Sequence, residues 1–212
     1  MKAILQENTV VIKNVSRQHL RNKSFSLMQE AAKKSYHLTA LIIIFFAVSF
    51  AGWLWEVALH YMTSGNLVNR GTLHGPWLPI YGAASVFLLI FLRKYAKRPL
   101  VVLAGTIVSC GVIEYITSFV LEIIFHTRWW DYSDMPMNIN GRICAGGLVL
   151  FGLGGCAVIY MIGPMLRKKS EQMNKKKAAV FCMAAMVIFL IDVVISFTNI
   201  RTGAGITAAL LP

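Results

Sequence analysis

The 212-residue chain is 57% hydrophobic and only 14% charged, against about 25% charged residues in a soluble domain. Water is thereby excluded as its main solvent, and a lipid bilayer is implied. The formal net charge of +12 falls between apolar runs, without zinc-finger spacing, an RNP-like motif or a base-reading basic helix, so no nucleic-acid partner is expected.

Residues 1–37 hold seven Lys and Arg and read as a basic cytoplasmic segment. Within residues 17–37, Phe25, Met28 and Ala32 have the three-then-four spacing of an amphipathic helix on the inner membrane surface; an unstructured tail is the competing expectation. The first apolar run starts near Leu38, too deep and too long for a cleaved signal peptide, and reads as a retained anchor. Five runs are long enough to span, about Leu38–Tyr61, Gly75–Leu92, Leu100–Phe125, Ile143–Leu166 and Ala178–Thr198. The expected fold class is all-α: a polytopic bundle of five transmembrane helices over residues 38–198, followed by an extracytoplasmic tail, 199–212.

Orientation follows from the basic residues. The N-terminal segment, RKYAKR and RKKSEQMNKKK together hold 17 Lys and Arg, against four on the other side, Arg70, Arg128, Arg142 and Arg201. The N-terminus is therefore expected inside and the C-terminus outside. Cys110, Cys144, Cys156 and Cys182 form no CxxC pair and read as small packing residues. The GLGG at 152–155 lies inside the fourth run, where glycine lets helices approach closely.

The first two runs and the next two share an order of motifs. WEVALH, NRG and GPWLPIYG in one hairpin answer LEIIFH, NGR and GGLVLFG in the other. Each has a Glu–His pair four residues apart, then an Asn-Gly-Arg set, then a glycine six residues after the Asn (Gly75 and Gly146). This order suggests a parallel duplication, about 38–92 and 100–166, with a pseudo-two-fold axis along the membrane normal. The helix at 178–198 is an extra element, placed to seal one side or to mediate a homodimer.

Four carboxylates lie within the runs: Glu56, Glu114, Glu122 and Asp192. Each costs about 2.5–3.5 kcal/mol at a helix centre facing lipid, so all should face the bundle interior or the interface. At about 1.5 Å per residue from the inner end, Glu114 and Asp192 lie about 21 Å deep, Glu56 about 27 Å and Glu122 about 33 Å. Glu114, Ser118, Glu122 and His126 recur every four residues and make one polar stripe; Glu56 and His60 repeat its last pair. Asn69, Arg70, His74, Arg128, Asp131, Asn140 and Arg142 supply partners from the outer loops. Two readings follow. In one, Glu–His and Glu–Arg pairs pin loops to helix ends, with Trp129, Trp130 and Tyr132 as an interfacial aromatic belt. In the other, the acids line a polar cavity open to the outside. Two Glu–His pairs could build a mixed metal site, but neither is HExxH and no cysteine joins them; no metal or other cofactor is expected.

GWLWEV, LVNRGTLHGPWLPIYG, EYITSFVLE and FHTRWWDYSDMPMNINGRIC, over about residues 50–150, resemble the bacterial membrane family labelled Putative ABC-transporter type IV. The resemblance implies a multi-pass protein of the bacterial plasma membrane with a transport-related role, and carries over no substrate and no catalytic residue. The chain has no ATP-binding motif, so an ATPase serving it would be a separate subunit. The expected function is a transporter or permease component with an outward-facing Glu/His/Arg site. The alternatives are a membrane-embedded enzyme acting on a lipid or cell-envelope substrate, with Glu and His as base and acid, and a scaffold or sensor.

Overall fold

The structure, a computed structural model, describes residues 35–126 and 128–198, the backbone of 207–209, and six helical positions between 18 and 29. The amphipathic reading of 17–37 and the tail at 199–212 otherwise lie outside the described residues. Five apolar helices build the bundle: α1 (Leu38–Ser64), α2 (Pro79–Phe91), α3 (Pro99–Phe125), α4 (Ala145–Gln172) and α5 (Lys175–Thr198). The described non-helical pairing is short: β1 (Val68–Arg70) lies antiparallel to β2 (Thr207–Ala209), with one isolated bridge between Ile139 and Ile143.

Local sequence sets the helix ends. Gly65, left-handed at φ 75°, closes α1 with its N–H on the Tyr61 carbonyl. Pro79 and Pro99 stand in the first turns of α2 and α3, where a missing N–H costs nothing. The Asn174 side chain accepts the N–H groups of Lys176 and Lys177 and caps α5. In α4 the stretch Val158–Ile162 is a wide turn with the Gly163 N–H on the Val158 carbonyl; Pro164, which cannot donate to Tyr160, is the reason.

Four of the helices, all but α2, are long and apolar enough to cross a membrane. The second expected run forms an apolar helix, but a shorter one: α2 begins at Pro79 and has 13 residues, about 20 Å, where a hydrocarbon core needs about 30 Å. Leu78 precedes Pro79 and is held extended at φ −112°, ψ 97°, because a residue before proline is pushed out of the α region. Residues 75–78 therefore run extended before the helix begins.

The closest helix pairs are α1 with α2 and α3 with α4, and α5 lies against α1. Glycine sets these distances: a Cβ on Gly82 would stand 2.5 Å from the Phe45 carbonyl of α1, and one on Gly155 would stand 2.8 Å from Thr106 of α3. Thr106 also donates across the interface to the Gly152 carbonyl at 3.0 Å. Ile44, Leu88, Leu89, Val102 and Ile159 are buried together and fill the half of the bundle nearer the basic connections. Large apolar side chains cover the outside, with Val108, Met161, Val180 and Ile188 each more than half exposed. Such a surface suits acyl chains, not water.

Candidate functional site

Away from the basic end, a cavity of about 400 Å³ opens among α1, α2, α3, α5 and the loop after α3. Its position follows from the packing: the apolar core closes the basic half, and the short α2 leaves room above it. Glu114 is at the deep side, on the buried face of α3 with Cys110 and Ser118. Only 5% of it is exposed. The Tyr132 hydroxyl is the hydrogen-bonding neighbour of this carboxylate, and its Oε2 is buried without a partner. Burial and then the Glu114 and Glu56 charges push the Tyr132 phenol up, which keeps it a donor.

Glu56 stands across the cavity and is better satisfied. Its Oε1 accepts the Tyr81 hydroxyl at 2.6 Å, and its Oε2 lies 3.8 Å from Arg70 Nη2. Gly52, one turn earlier on α1, makes this possible: the Tyr81 ring fills the space a Cβ there would need. Asn69 organises the neighbouring loop, accepting Trp53 Nε1 at 2.7 Å and donating to the carbonyls of Leu73 and His74.

A second cluster ties the loop of residues 126–144 to α3. Arg142 is buried; it meets Glu122 at 2.6 Å, donates to Ser118 Oγ at 3.1 Å, and lies over the rings of Tyr115 and Phe119. Arg128 spans Glu122 at 3.3 Å and Asp131 at 3.6 Å. Asp131 is held below the usual carboxylate range, first by the Ser133 hydroxyl and then by the Ser133 N–H. Asn140 donates to the Tyr115 hydroxyl at 2.9 Å. Asn140 and Gly141 are both left-handed, at φ 53° and 66°, which turns Arg142 back toward the helix.

A third cluster surrounds Asp192. The carboxylate accepts His74 N at 3.2 Å, Gly75 N at 2.9 Å, Trp77 Nε1 at 2.7 Å and Ser196 Oγ at 3.2 Å. His74 Nδ1 lies 2.6 Å from Ser196 Oγ. Extended backbone at membrane depth must find its hydrogen bonds within the protein, and Asp192 supplies them to the segment leading into α2.

The single convergent cluster expected from the sequence is thus three. Glu56, Arg70 and Glu114 share the cavity; Ser118, Glu122, Arg128, Asp131, Asn140 and Arg142 form the loop anchor; Asp192 and His74 form the cap of the extended segment. His126 leaves the expected stripe because it ends α3 in a left-handed conformation at φ 54° and is exposed. His60 is half-buried, and neither imidazole has a hydrogen-bond or ion-pair partner among the described residues. No group of three His, Cys, Asp or Glu side chains suited to a metal occurs among the described residues. Tyr81 and Tyr132 were not foreseen as site residues. An antiparallel hairpin does set the first turn of α2 opposite the last turns of α1, which would have pointed Tyr81 toward Glu56. Tyr132, read as part of an aromatic belt, carried no such signal.

Apolar helices long enough to span, with a partly polar cavity among them, define a multi-pass membrane protein. The family model described as Putative ABC-transporter type IV matches residues 43–197. The chain belongs to that family, whose name is related to ABC transport. No curated protein and no solved structure matches it.

Proposed function

We propose that the chain is the substrate-binding membrane subunit of an ABC-related transporter, its cavity facing outward from a bacterial plasma membrane. The observation that carries this reading is the buried, unpartnered Oε2 of Glu114 at the deep side of a 400 Å³ cavity. A pure scaffold would satisfy such an oxygen, because buried polar groups are normally paired. The enzyme alternative draws less support: neither His60 nor His126 lines the cavity, so Glu and His do not meet there as an acid–base pair.

Outward orientation is supported by the 17 Lys and Arg of residues 1–37 and the two basic connections, against four elsewhere. The same connections are the surface for a separate ATPase. The core that closes the cavity toward this end means that passage needs a rearrangement, and the sparsely buried α5, which buries only Ala178, Cys182 and Ser196 among its described residues, is the face for a second copy. The duplication belongs to this proposal also, since Glu56–Arg70 and Glu122–Arg142 pair in corresponding places. A comparison of the two halves across many relatives that found no mutual similarity would remove it.

The test is metabolite and lipid profiling of a deletion strain carrying wild type or Glu114→Gln. The variant should insert normally yet leave the deletion profile uncorrected; full correction removes Glu114 from the function. An impermeant thiol reagent should label a cysteine at Asn66 in intact cells and spare one at Lys97; the reverse pattern overturns the orientation.

A further inference from the structure

Taking the cavity as the substrate site, we propose that its ligand is a monovalent organic cation, an ammonium group on an apolar body. The charges facing the cavity come from every side that encloses it. Glu56 enters from α1, Arg70 from the strand after it, Tyr81 from α2, Glu114 and Cys110 from α3, and Tyr132 from the following loop, whereas α5 contributes Phe189, Val193 and Phe197. Arg70 and Tyr81 both serve Glu56. Tyr132 is the hydrogen-bonding neighbour of the Glu114 carboxylate. What Glu114 Oε2 lacks is therefore a hydrogen-bond donor, and the two carboxylates facing the cavity outnumber its one arginine. An anion entering here would meet two carboxylates and one arginine already engaged.

The walls agree. Trp129, Trp130, Phe151, Phe189 and Phe197 line the cavity, and aromatic faces attract a cation while covering its apolar part. A volume near 400 Å³ suits a small organic molecule, within the roughly 300–1,000 Å³ of ordinary ligand pockets. An inorganic divalent ion would lack ligands, since no three suitable side chains converge among the described residues.

The ligand has two chemical sources. No extended interface joins α3 to α5; the rings of Phe125 and Phe197 meet at 5.5 Å near their ends. This end of α3 lies beyond Glu122, about 33 Å from the basic end and so at headgroup level, where an amine-bearing lipid headgroup can present the same ammonium group as a free amphiphile from outside.

The experiment titrates the full-length chain, in an uncharged maltoside detergent, with benzylammonium and with its neutral isostere ethylbenzene, following tryptophan fluorescence. The cation should bind saturably, at least tenfold more tightly than the isostere, and Glu114→Gln should weaken the cation at least tenfold while leaving the isostere unchanged. Equal binding of the two probes to wild type, which needs no variant, or undiminished cation binding by folded Glu114→Gln, overturns the proposal. Tyr132→Phe, which keeps the carboxylate, should retain the preference for the cation; its loss would also overturn it. Competition by added phosphatidylethanolamine but not by phosphatidylglycerol assigns the lipid source, and no competition assigns the free amine. If the cation fails to bind while Glu114→Gln still cannot correct the deletion strain, the ligand class falls and the substrate site stands. Full correction by Glu114→Gln removes the site itself.

Discussion

Glu114 and Asp192 begin from the same place and end differently. Each is an acid about 21 Å from the basic end of an apolar helix by simple helical rise, and sequence alone gives no reason to separate them. In the fold, Asp192 receives four donors and holds an extended segment in place. Glu114 receives one donor and keeps an oxygen empty beside a cavity. Depth shows that an acid must be explained; the number of its partners shows whether architecture already explains it.

The largest expected effect breaks the architectural side. Asp192→Ala removes the acceptor for three N–H groups of the segment before α2, and hydrogen bonds to a charged group are worth about 1.5–3 kcal/mol each, with further cost for orphaned donors. A loss of about 3 kcal/mol or more should appear in denaturant unfolding in detergent; Asp192→Asn, which retains one oxygen, should lose less. Wild-type stability in both would return Asp192 to the list of functional acids.

Arg142→Ala comes next. It strips Ser118 and Glu122 of a buried partner, but Glu122 is a third exposed and keeps Arg128, so a loss of about 1–3 kcal/mol is expected. Limited proteolysis should show residues 126–144 cut faster than in wild type. Protection equal to wild type would mean that the loop is held by other contacts.

Glu114→Gln sharpens the other side. An amide of the same shape relieves a buried charge and still accepts from Tyr132, so stability should change by no more than about 1 kcal/mol while correction of the deletion strain is lost. The smallest effect is that of pH on the loop. The folded carboxyl of Asp131 titrates below its unfolded value, so its contribution is complete above about pH 4 and fades as pH falls through the lower folded value. Protection factors in residues 128–133, with the intrinsic pH dependence of amide exchange divided out, should be steady from neutrality to about pH 4, then fall; a fall beginning near pH 6 would implicate another group.

Much of this was legible in the sequence. Run length gave the five apolar helices, and Arg70, Arg128 and Arg142 were read together as outer-loop partners of the helix acids. The shortened α2 depends on Leu78 preceding Pro79; the prolines at its start already pointed to a local break at the entry, which run-length counting alone does not register. One feature was not legible. The division of the acids depends on side-chain direction: Gly52 admits the Tyr81 ring to Glu56, and an extended backbone consumes Asp192. His126 was placed on a stripe by its spacing alone, and a single left-handed residue removed it.

The most direct measurement is the thermal midpoint of Glu114→Gln beside that of Asp192→Asn in one detergent, where 1 kcal/mol corresponds to about 2–4 °C for a chain of this size. A Glu114→Gln midpoint at or above wild type, with Asp192→Asn clearly lower, is the result expected of one acid kept for a ligand and one used for the fold. A Glu114→Gln midpoint as low as that of Asp192→Asn would show that both acids hold the bundle together and would contradict the distinction.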